Sequence, residues 1–391
     1  MNQVVLKAGK DKRIKAGHLW VYQGEIGIIG IGVKSGQLVE VLDNRGRFLG
    51  AGYYNQASQI AVRLLTTQRE PIDENFFRRR LKQAIDYRLR VKPGLSSYRL
   101  VFGEGDLLPG LIVDKFEDYL VVQFLTMGME MNRDLIIHLL NELIAPKGII
   151  ERSDLASRNL EDLPERSGCI SGECPPSIVI KDNGLNFRID LLEGQKTGYF
   201  LDQSANRAAL AAYSQGRRVL DCFCHVGSFA IHAAAYGASS VLGIDISEDA
   251  INMAVENTAI NGLEERCRFK VANVFDFLRD QVGKKEEYDL IILDPPAFTK
   301  SKQTMDGAIR GYKEINLRAL KMLGPGGILV TCSCSYHMNP ELFWEIIHSA
   351  ATDNKKRLRL LERRTQGLDH PVLMGVTETE YLKCLIFEVV Q

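Results

Sequence analysis

The sequence holds 391 residues, 45% of them hydrophobic and 25% charged, with 49 Lys and Arg balanced by 49 Asp and Glu. That length exceeds one ordinary core and predicts two or three domains, while the composition is that of a soluble globular chain. No run of 18 apolar residues is present, so no membrane-spanning helix is expected, and the opening Met-Asn-Gln-Val-Val-Leu-Lys lacks the apolar core of a secretory signal.

The zero net charge conceals an asymmetry. Residues 1–100 carry 18 Lys and Arg against 8 Asp and Glu, and the remainder carries 31 against 41. A basic end on a neutral chain points to a polyanionic partner. Eight cysteines occur, among them Cys222/Cys224 and Cys332/Cys334 at C-x-C spacing and the wider pair Cys169/Cys174. None has the C-x₂-C spacing of a structural zinc site, so no metal is expected. Many free thiols point to a reducing cytoplasm, and neither C-x-C pair is expected to close a disulfide.

Residues 1–70 read as a small β module, with strands expected at Val4–Leu6, Leu38–Leu42, Phe48–Tyr54 and Ile60–Leu64. Its cations lie at either end: Lys7, Lys10, Lys12, Arg13 and Lys15, then Arg45, Arg47 and Arg63. Of these, Lys12, Arg13, Lys15, Arg47 and Arg63 are the candidate RNA-binding residues. Trp20, Tyr22, Tyr53 and Tyr54 are interleaved with them; such aromatics serve as base-stacking faces or as ordinary core.

Residues 71–192 form a second span. Asn75–Arg90 has helical spacing with a basic outer face, followed by strands at Leu111–Asp114, Leu120–Leu125 and Gly148–Glu151 around a helix at Asn132–Ile144. This is a compact α+β domain. Ser153–Pro176, broken by three prolines and two glycines, reads as loop, and Val179–Leu192 as a hairpin turning at Asp182-Asn183-Gly184.

Residues 193–391 open on the polar stretch Gly194–Gln203, in which Lys196, Thr197 and Tyr199 offer donors to a ligand carboxylate. From Arg218 onward strands and helices alternate, which predicts a doubly wound α/β sheet with its ligand outside the carboxyl ends of the strands. The central unit is Val219–Phe229: an apolar run, one turn containing Gly227, and a helix, followed by a second strand ending on Asp245. Three spaced glycines would suit a dinucleotide pyrophosphate, but here a single glycine follows an acid, Asp221. An acid at that position suits a cationic nucleoside such as S-adenosylmethionine, with Asp245 placed for the ribose hydroxyls. On this segment alone an ordinary buried βα turn is equally well supported.

Two further strand ends carry chemistry. Leu290–Leu293 ends in Asp294-Pro295-Pro296-Ala297-Phe298, and Ile328–Thr331 ends in Cys332-Ser333-Cys334-Ser335. Cysteine beside a methyl donor suggests C5 methylation of a pyrimidine. A thiolate adding at C6 makes C5 nucleophilic, and a carboxyl at N3 assists by supplying or sharing a proton. Cys332 or Cys334 is then the nucleophile and Asp294 the carboxyl.

These stretches, together with Gly17–Tyr22 and Arg47–Asn55, resemble the large-subunit ribosomal RNA cytosine-5 methyltransferases that carry an N-terminal PUA domain, over nearly the whole length. The resemblance implies a PUA-like domain, a central α+β domain and a C-terminal class I methyltransferase fold, acting in the cytoplasm on large-subunit rRNA with S-adenosylmethionine and no metal. It implies cofactor contacts from Asp202, Asp221, Phe223, Gly227, Asp245, Asn273 and Asp294, and a preference for Cys332 over Cys334. Where many members have Asp-Gln-Arg, this chain has Asp202-Gln203-Ser204, which removes one basic contact. N-methylation of an exocyclic amine, and an RNA-binding or ribosome-assembly factor without activity, are the alternatives. Neither the modified nucleotide nor a homodimer is written in the sequence.

Overall fold

The structure is a computed structural model describing residues 2–192, 194, 197–298 and 304–390. It divides into two compact units. The first comprises Met1–Ile180, Ile189–Leu201 and Leu368–Thr379; the second comprises Lys181–Arg188, Asp202–Gly367 and Glu380–Gln391. A single boundary at 192/193 is replaced by an interleaved division, in which the hairpin tip Lys181–Arg188 belongs to the second unit while Ile189–Leu201 and Leu368–Thr379 belong to the first.

The first unit holds two sheets. The N-terminal one has six strands, formed by Asn2–Leu6, Trp20–Tyr22, Ile26–Ile29, Leu38–Leu42, Phe48–Tyr54 and Ile60–Thr66. The second has five: Ser97–Phe102, Leu111–Phe116, Tyr119–Phe124, Gly148–Ser153 and Arg166–Gly172. Helix Glu74–Val91 begins where the Asp73 carboxylate accepts from the Phe76 amide, and it buries Phe76, Phe77, Leu81 and Ala84 at helical spacing. Arg166–Gly172 lies inside the stretch expected to be loop. It becomes a strand by antiparallel pairing with Gly148–Ser153, with a bulge at Ile149/Ile150. The expectation of free thiols also needs correcting at one pair: Cys169 and Cys174 are disulfide-bonded, whereas Cys222, Cys224, Cys267, Cys332, Cys334 and Cys384 carry no disulfide.

The second unit is built on a seven-stranded sheet. Its strands are β1 (Arg218–Cys222), β2 (Ser240–Asp245), β3 (Cys267–Val271), β4 (Tyr288–Leu293), β5 (Leu323–Ser333), β6 (Leu358–Arg364) and β7 (Lys383–Val389). Their spatial order is β3-β2-β1-β4-β5-β7-β6, parallel from β3 to β5, with β7 antiparallel to both β5 and β6. Helices on both faces cover it, which is why β1, β4 and β5 are near-continuous apolar runs rather than alternating ones. The order reverses between β1 and β4, and a ligand crevice opens outside the carboxyl ends of strands at such a point. Asp221, Asp245, Asp294 and the Cys332–Ser335 segment all fall at those ends. Among the described residues no helix is long and apolar enough to cross a membrane.

Candidate active site

The turn after β1 is conformationally demanding. Phe223, His225 and Gly227 have φ of 65°, 49° and 78°, the left-handed region that costs a non-glycine residue of order 1 kcal/mol or more. At Gly227 a Cβ would come within 2.8 Å of the Phe269 ring and 3.0 Å of Ala254 Cβ, so both conformation and packing require glycine. Such strain persists where the surroundings fix a loop for a purpose. The turn brings the His225 amide to Asp245, whose Oδ2 accepts it at 2.9 Å while Oδ1 accepts the Ser247 amide at 3.0 Å.

Asp221 is the strongest electrostatic signal. It is 1% exposed, its Oδ2 accepts from the Ala230 amide at 2.9 Å, and its Oδ1 has no hydrogen-bond partner among the described residues. Burial, then the negative charge of Asp294, then that of Asp245 hold its carboxyl well above the usual range. Three acids converging on one cleft, one with an unpaired buried oxygen, fit a ligand that brings its own positive charge. S-adenosylmethionine carries an ammonium and a sulfonium, so this donor set suits it, and a pyrophosphate would be repelled. Beside the acids stands an aromatic wall. Phe223, Phe275 and Phe298 lie 5.9–6.5 Å apart by ring centroids, and Phe298 packs on Tyr312 at 4.7 Å. Asn273 is exposed and caps helix Val274–Gly283, its Oδ1 accepting from the Phe275 amide at 3.0 Å, which leaves its Nδ2 for a ligand.

Sequence reasoning missed Gln203. It is buried, donates from Nε2 to Asp294 Oδ1 at 2.9 Å, and is itself held by Asn206 Nδ2 at 2.6 Å. Its neighbour Asp202, also expected to touch the cofactor, is 4% exposed, with Oδ2 accepting from the Tyr381 hydroxyl at 2.6 Å. Ser204, standing where a basic residue was expected, donates to Asp182 at 2.6 Å, and the fully buried Arg207 donates to the same carboxylate at 2.7 Å. Thr197 is held by the first unit. Its hydroxyl donates to Asp114 at 2.5 Å inside the first unit, and Tyr199 is buried in that unit too. Lys196 lies outside the described residues.

The two cysteines separate sharply. Cys332 is within β5, pairs in register with Cys384 of β7, and is 0% exposed. Contact with Cys384, followed by burial, pushes its thiol well above the usual range. Cys334 lies one residue past the strand, is partly exposed, and has Sγ 4.0 Å from the Pro295 carbonyl oxygen of the Asp294 loop. Cys332 is enclosed by its strand neighbours and touches the Gln203 amide, so of the two cysteines Cys334 is the one that reaches the surface. The Tyr312 hydroxyl, also unforeseen, meets the Ser333 and Ser335 hydroxyls at 3.0 Å each and braces the turn from below.

The candidate RNA residues also divide. Lys12, Lys15 and Arg47 are exposed, the last two paired with Asp11 and Asp43. Arg13 lies 4.7 Å over the Tyr22 ring and 3.7 Å from Glu25. Arg63 is less exposed and paired with a buried acid. Its guanidinium is 2.6 Å from the buried Glu161, which also accepts from Asn55, so it ties the N-terminal sheet to the turn Ala156–Glu161. Trp20 is likewise structural, donating its indole N–H to Glu104 at 2.8 Å.

Residues 161–388 match the family model of S-adenosylmethionine-dependent methyltransferases, and residues 4–67 that of PUA-like domains. A relative from Tolumonas auensis named ribosomal RNA large subunit methyltransferase I is 42% identical, covering 98% of both chains. One of the same name from Photobacterium profundum is 41% identical, covering 97% of both. Among solved structures, a putative S-adenosylmethionine-dependent methyltransferase from Streptococcus mutans aligns over the whole of both chains at TM-score 0.86 and 21% identity. A putative methyltransferase complexed with S-adenosylhomocysteine aligns equally completely at 0.88 and 22%.

Proposed function

The chain belongs to the family of S-adenosylmethionine-dependent methyltransferases whose full-length relatives are named ribosomal RNA large subunit methyltransferase I, and from that premise we propose that it forms 5-methylcytidine in large-subunit rRNA with Cys334 as the attacking thiol. The observation that carries the C5 assignment is the placing of a partly exposed cysteine against the Asp294-Pro295-Pro296 turn, beside the acidic cleft. N-methylation of an exocyclic amine would leave that thiol without a task.

The residues divide the work as follows. S-adenosylmethionine, when bound, supplies an electrophilic methyl group. Asp221, with its unpaired oxygen, holds the ligand's cationic end, Asp245 accepts from ribose hydroxyls, and the Phe223–Phe275–Phe298 wall keeps water from the cleft. The Cys334 thiolate forms a bond to C6 of cytosine, and the electron pair of the C5–C6 double bond becomes available at C5. Asp294, fixed by Gln203, shares a proton with N3 and so draws electron density out of the ring. After C5 acquires the methyl group, loss of the C5 proton to a base restores the double bond and expels the thiolate.

RNA is held in part by the PUA-like sheet through Lys12, Arg13, Lys15 and Arg47, all on its N-terminal turn or a hairpin tip. The work belongs in the cytoplasm, where ribosomal RNA is modified. Incubating the protein with large-subunit rRNA and labelled S-adenosylmethionine, then digesting to nucleosides, tests the reaction. Label in 5-methylcytidine is expected. Label in an N-methylated base would retain fold and cofactor and remove the thiol mechanism.

A further inference from the structure

Lys383 is a buried cation that none of the chemistry above uses. It opens β7 opposite Ser333 of β5 and is 8% exposed. Two of its three ammonium protons are placed: Nζ donates to the Ser335 carbonyl at 2.8 Å and to the Tyr381 carbonyl at 2.7 Å. Carbonyl oxygens ease the burial of an ammonium but carry no compensating charge. The acids that face it are Glu380, three residues back, and the Cys334 thiol across the strand pair.

Burial pushes Lys383 down to about 8, while Cys334 and then Glu380 pull it back up. A Coulomb interaction is mutual, so the ammonium that a Cys334 thiolate favours must favour that thiolate in return. Two other titratable groups lie close enough to count. Tyr312 feels the charge of both Cys334 and Asp294, the two acidic groups nearest its hydroxyl network with Ser333 and Ser335. Lys383 is thus the cation set against an acid-lined cleft on the side where a thiolate is needed.

We propose that Lys383 is the positioning residue of Cys334, fixing the 333–335 turn through the Ser335 carbonyl and biasing the thiol toward thiolate. Its catalytic meaning rests on Cys334 being the nucleophile; its effect on the thiol does not. Asp294 and Gln203 hold the base side of the site, and Lys383 holds the sulfur side.

The test is alkylation of Cys334 by iodoacetamide as a function of pH in the full-length protein, followed by peptide mass mapping. In Lys383→Met the titration midpoint should rise by about one unit or more, and the rate at pH 7 should fall about tenfold. Lys383→Arg should stay near the wild-type midpoint, and S-adenosylmethionine affinity should remain within about twofold in both. A Lys383→Met profile superimposable on wild type overturns the proposal. Should Lys383→Met fail to fold, wild type alone decides: its midpoint should lie below the ordinary thiol value of about 8.5, and one above it overturns the proposal. Methyl transfer by Cys334→Ala is measured separately. Transfer surviving there would remove the nucleophile assignment and leave the alkylation result standing.

Discussion

Gln203 donates to Asp294 at 2.9 Å, and the same amide's oxygen takes a hydrogen bond from Asn206 at 2.6 Å. A two-step amide relay therefore fixes which way the Asp294 carboxylate faces, because Asn206 permits only one orientation of the Gln203 amide. Proton sharing at N3 requires that orientation to hold within a few tenths of an ångström. Gln203→Ala should lower kcat for methyl transfer by about 10²-fold, the upper range for losing one positioning contact, with S-adenosylmethionine affinity nearly unchanged. Asp294→Asn should lose more than Gln203→Ala, since it removes the carboxyl itself. Single-turnover transfer beside calorimetric ligand binding reads both; an unaltered kcat in Gln203→Ala would show that the relay is only structural.

The cysteine pair yields opposite expectations for two residues only two positions apart. Cys334→Ala should abolish transfer at unchanged thermal stability, because the partly exposed thiol contributes little to packing. Cys332→Ala removes a fully buried sulfur packed between β5 and β7, so it should lower stability by about 1–2 kcal/mol and leave measurable transfer. Thermal unfolding and transfer rates on both variants decide. Abolished transfer in Cys332→Ala alone, with its fold intact, would return the nucleophile to Cys332.

Where the sequence was informative, the signal was local. The Asp221–Gly227 turn, the acid ending β2 and the Asp294-Pro295-Pro296 loop could be placed at strand ends because strand, turn and polar residue are contiguous. Missed features depend on partners far along the chain. Arg63 reads as a free cation until Glu161, 98 residues later, is beside it. Cys332 and Cys334 are indistinguishable by composition, and only pairing with β7, some 50 residues on, seals one and leaves the other accessible. Arg166–Gly172 carries no strand pattern, and the neighbouring strand imposes one. Lys383 offered no motif at all, since its significance lies in which carbonyls and which thiol surround it.

His232 gives a pH dependence of known sign. It is fully buried, its Nδ1 lies 2.6 Å from the Ser228 carbonyl, and its ring stacks on Phe187 at 5.4 Å. Burial, with Arg207 also opposing the charge and Asp182 favouring it, brings it down to about 4 from an unfolded value of 6.5. The unfolded chain thus binds more protons between those two values, and stability must fall as pH drops from 6.5 toward 4, by up to about 3 kcal/mol for this one group. Above 6.5 the group contributes no slope. His232→Phe should flatten denaturation midpoints across pH 6.5 to 4 relative to wild type, and an identical slope would assign the loss to other groups.

Asp221 should reveal itself through the pH dependence of ligand affinity. Its carboxyl is held well above the usual range without ligand, by burial and by Asp294 and Asp245. A cationic ligand reverses that balance and draws the carboxyl into its ionised form, so binding releases a proton wherever the free protein holds one. Affinity for S-adenosylmethionine should therefore rise with pH until the free carboxyl is itself ionised, then level off. Asp221→Asn should weaken binding by about 10- to 100-fold and remove that rise. Calorimetry in two buffers of different ionisation enthalpy measures the released proton directly. Binding without proton release in wild type, or an undiminished rise in the variant, would take Asp221 out of the ligand contact.

The first unit supplies the last prediction, because its cations separate into those free to meet phosphate and one that is not. Neutralising Lys12, Lys15 and Arg47 together should weaken rRNA-fragment binding and reduce the slope of log affinity against log salt by about two to three, close to one per phosphate contact. Losing Lys12 or Lys15 should change thermal stability little, since Lys15 pairs with Asp11 at the surface, and losing Arg47 should cost somewhat more, because its partner Asp43 is buried and keeps only the Arg45 and Arg47 amides. Arg63→Met should do the reverse. Glu161 is buried and also accepts from Asn55, so removing Arg63 leaves a buried carboxylate without its cation, at a cost of about 3 kcal/mol. Its salt slope should match wild type. A reduced slope in Arg63→Met at unchanged stability would place Arg63 on the RNA path and dissolve the distinction between the two groups of cations.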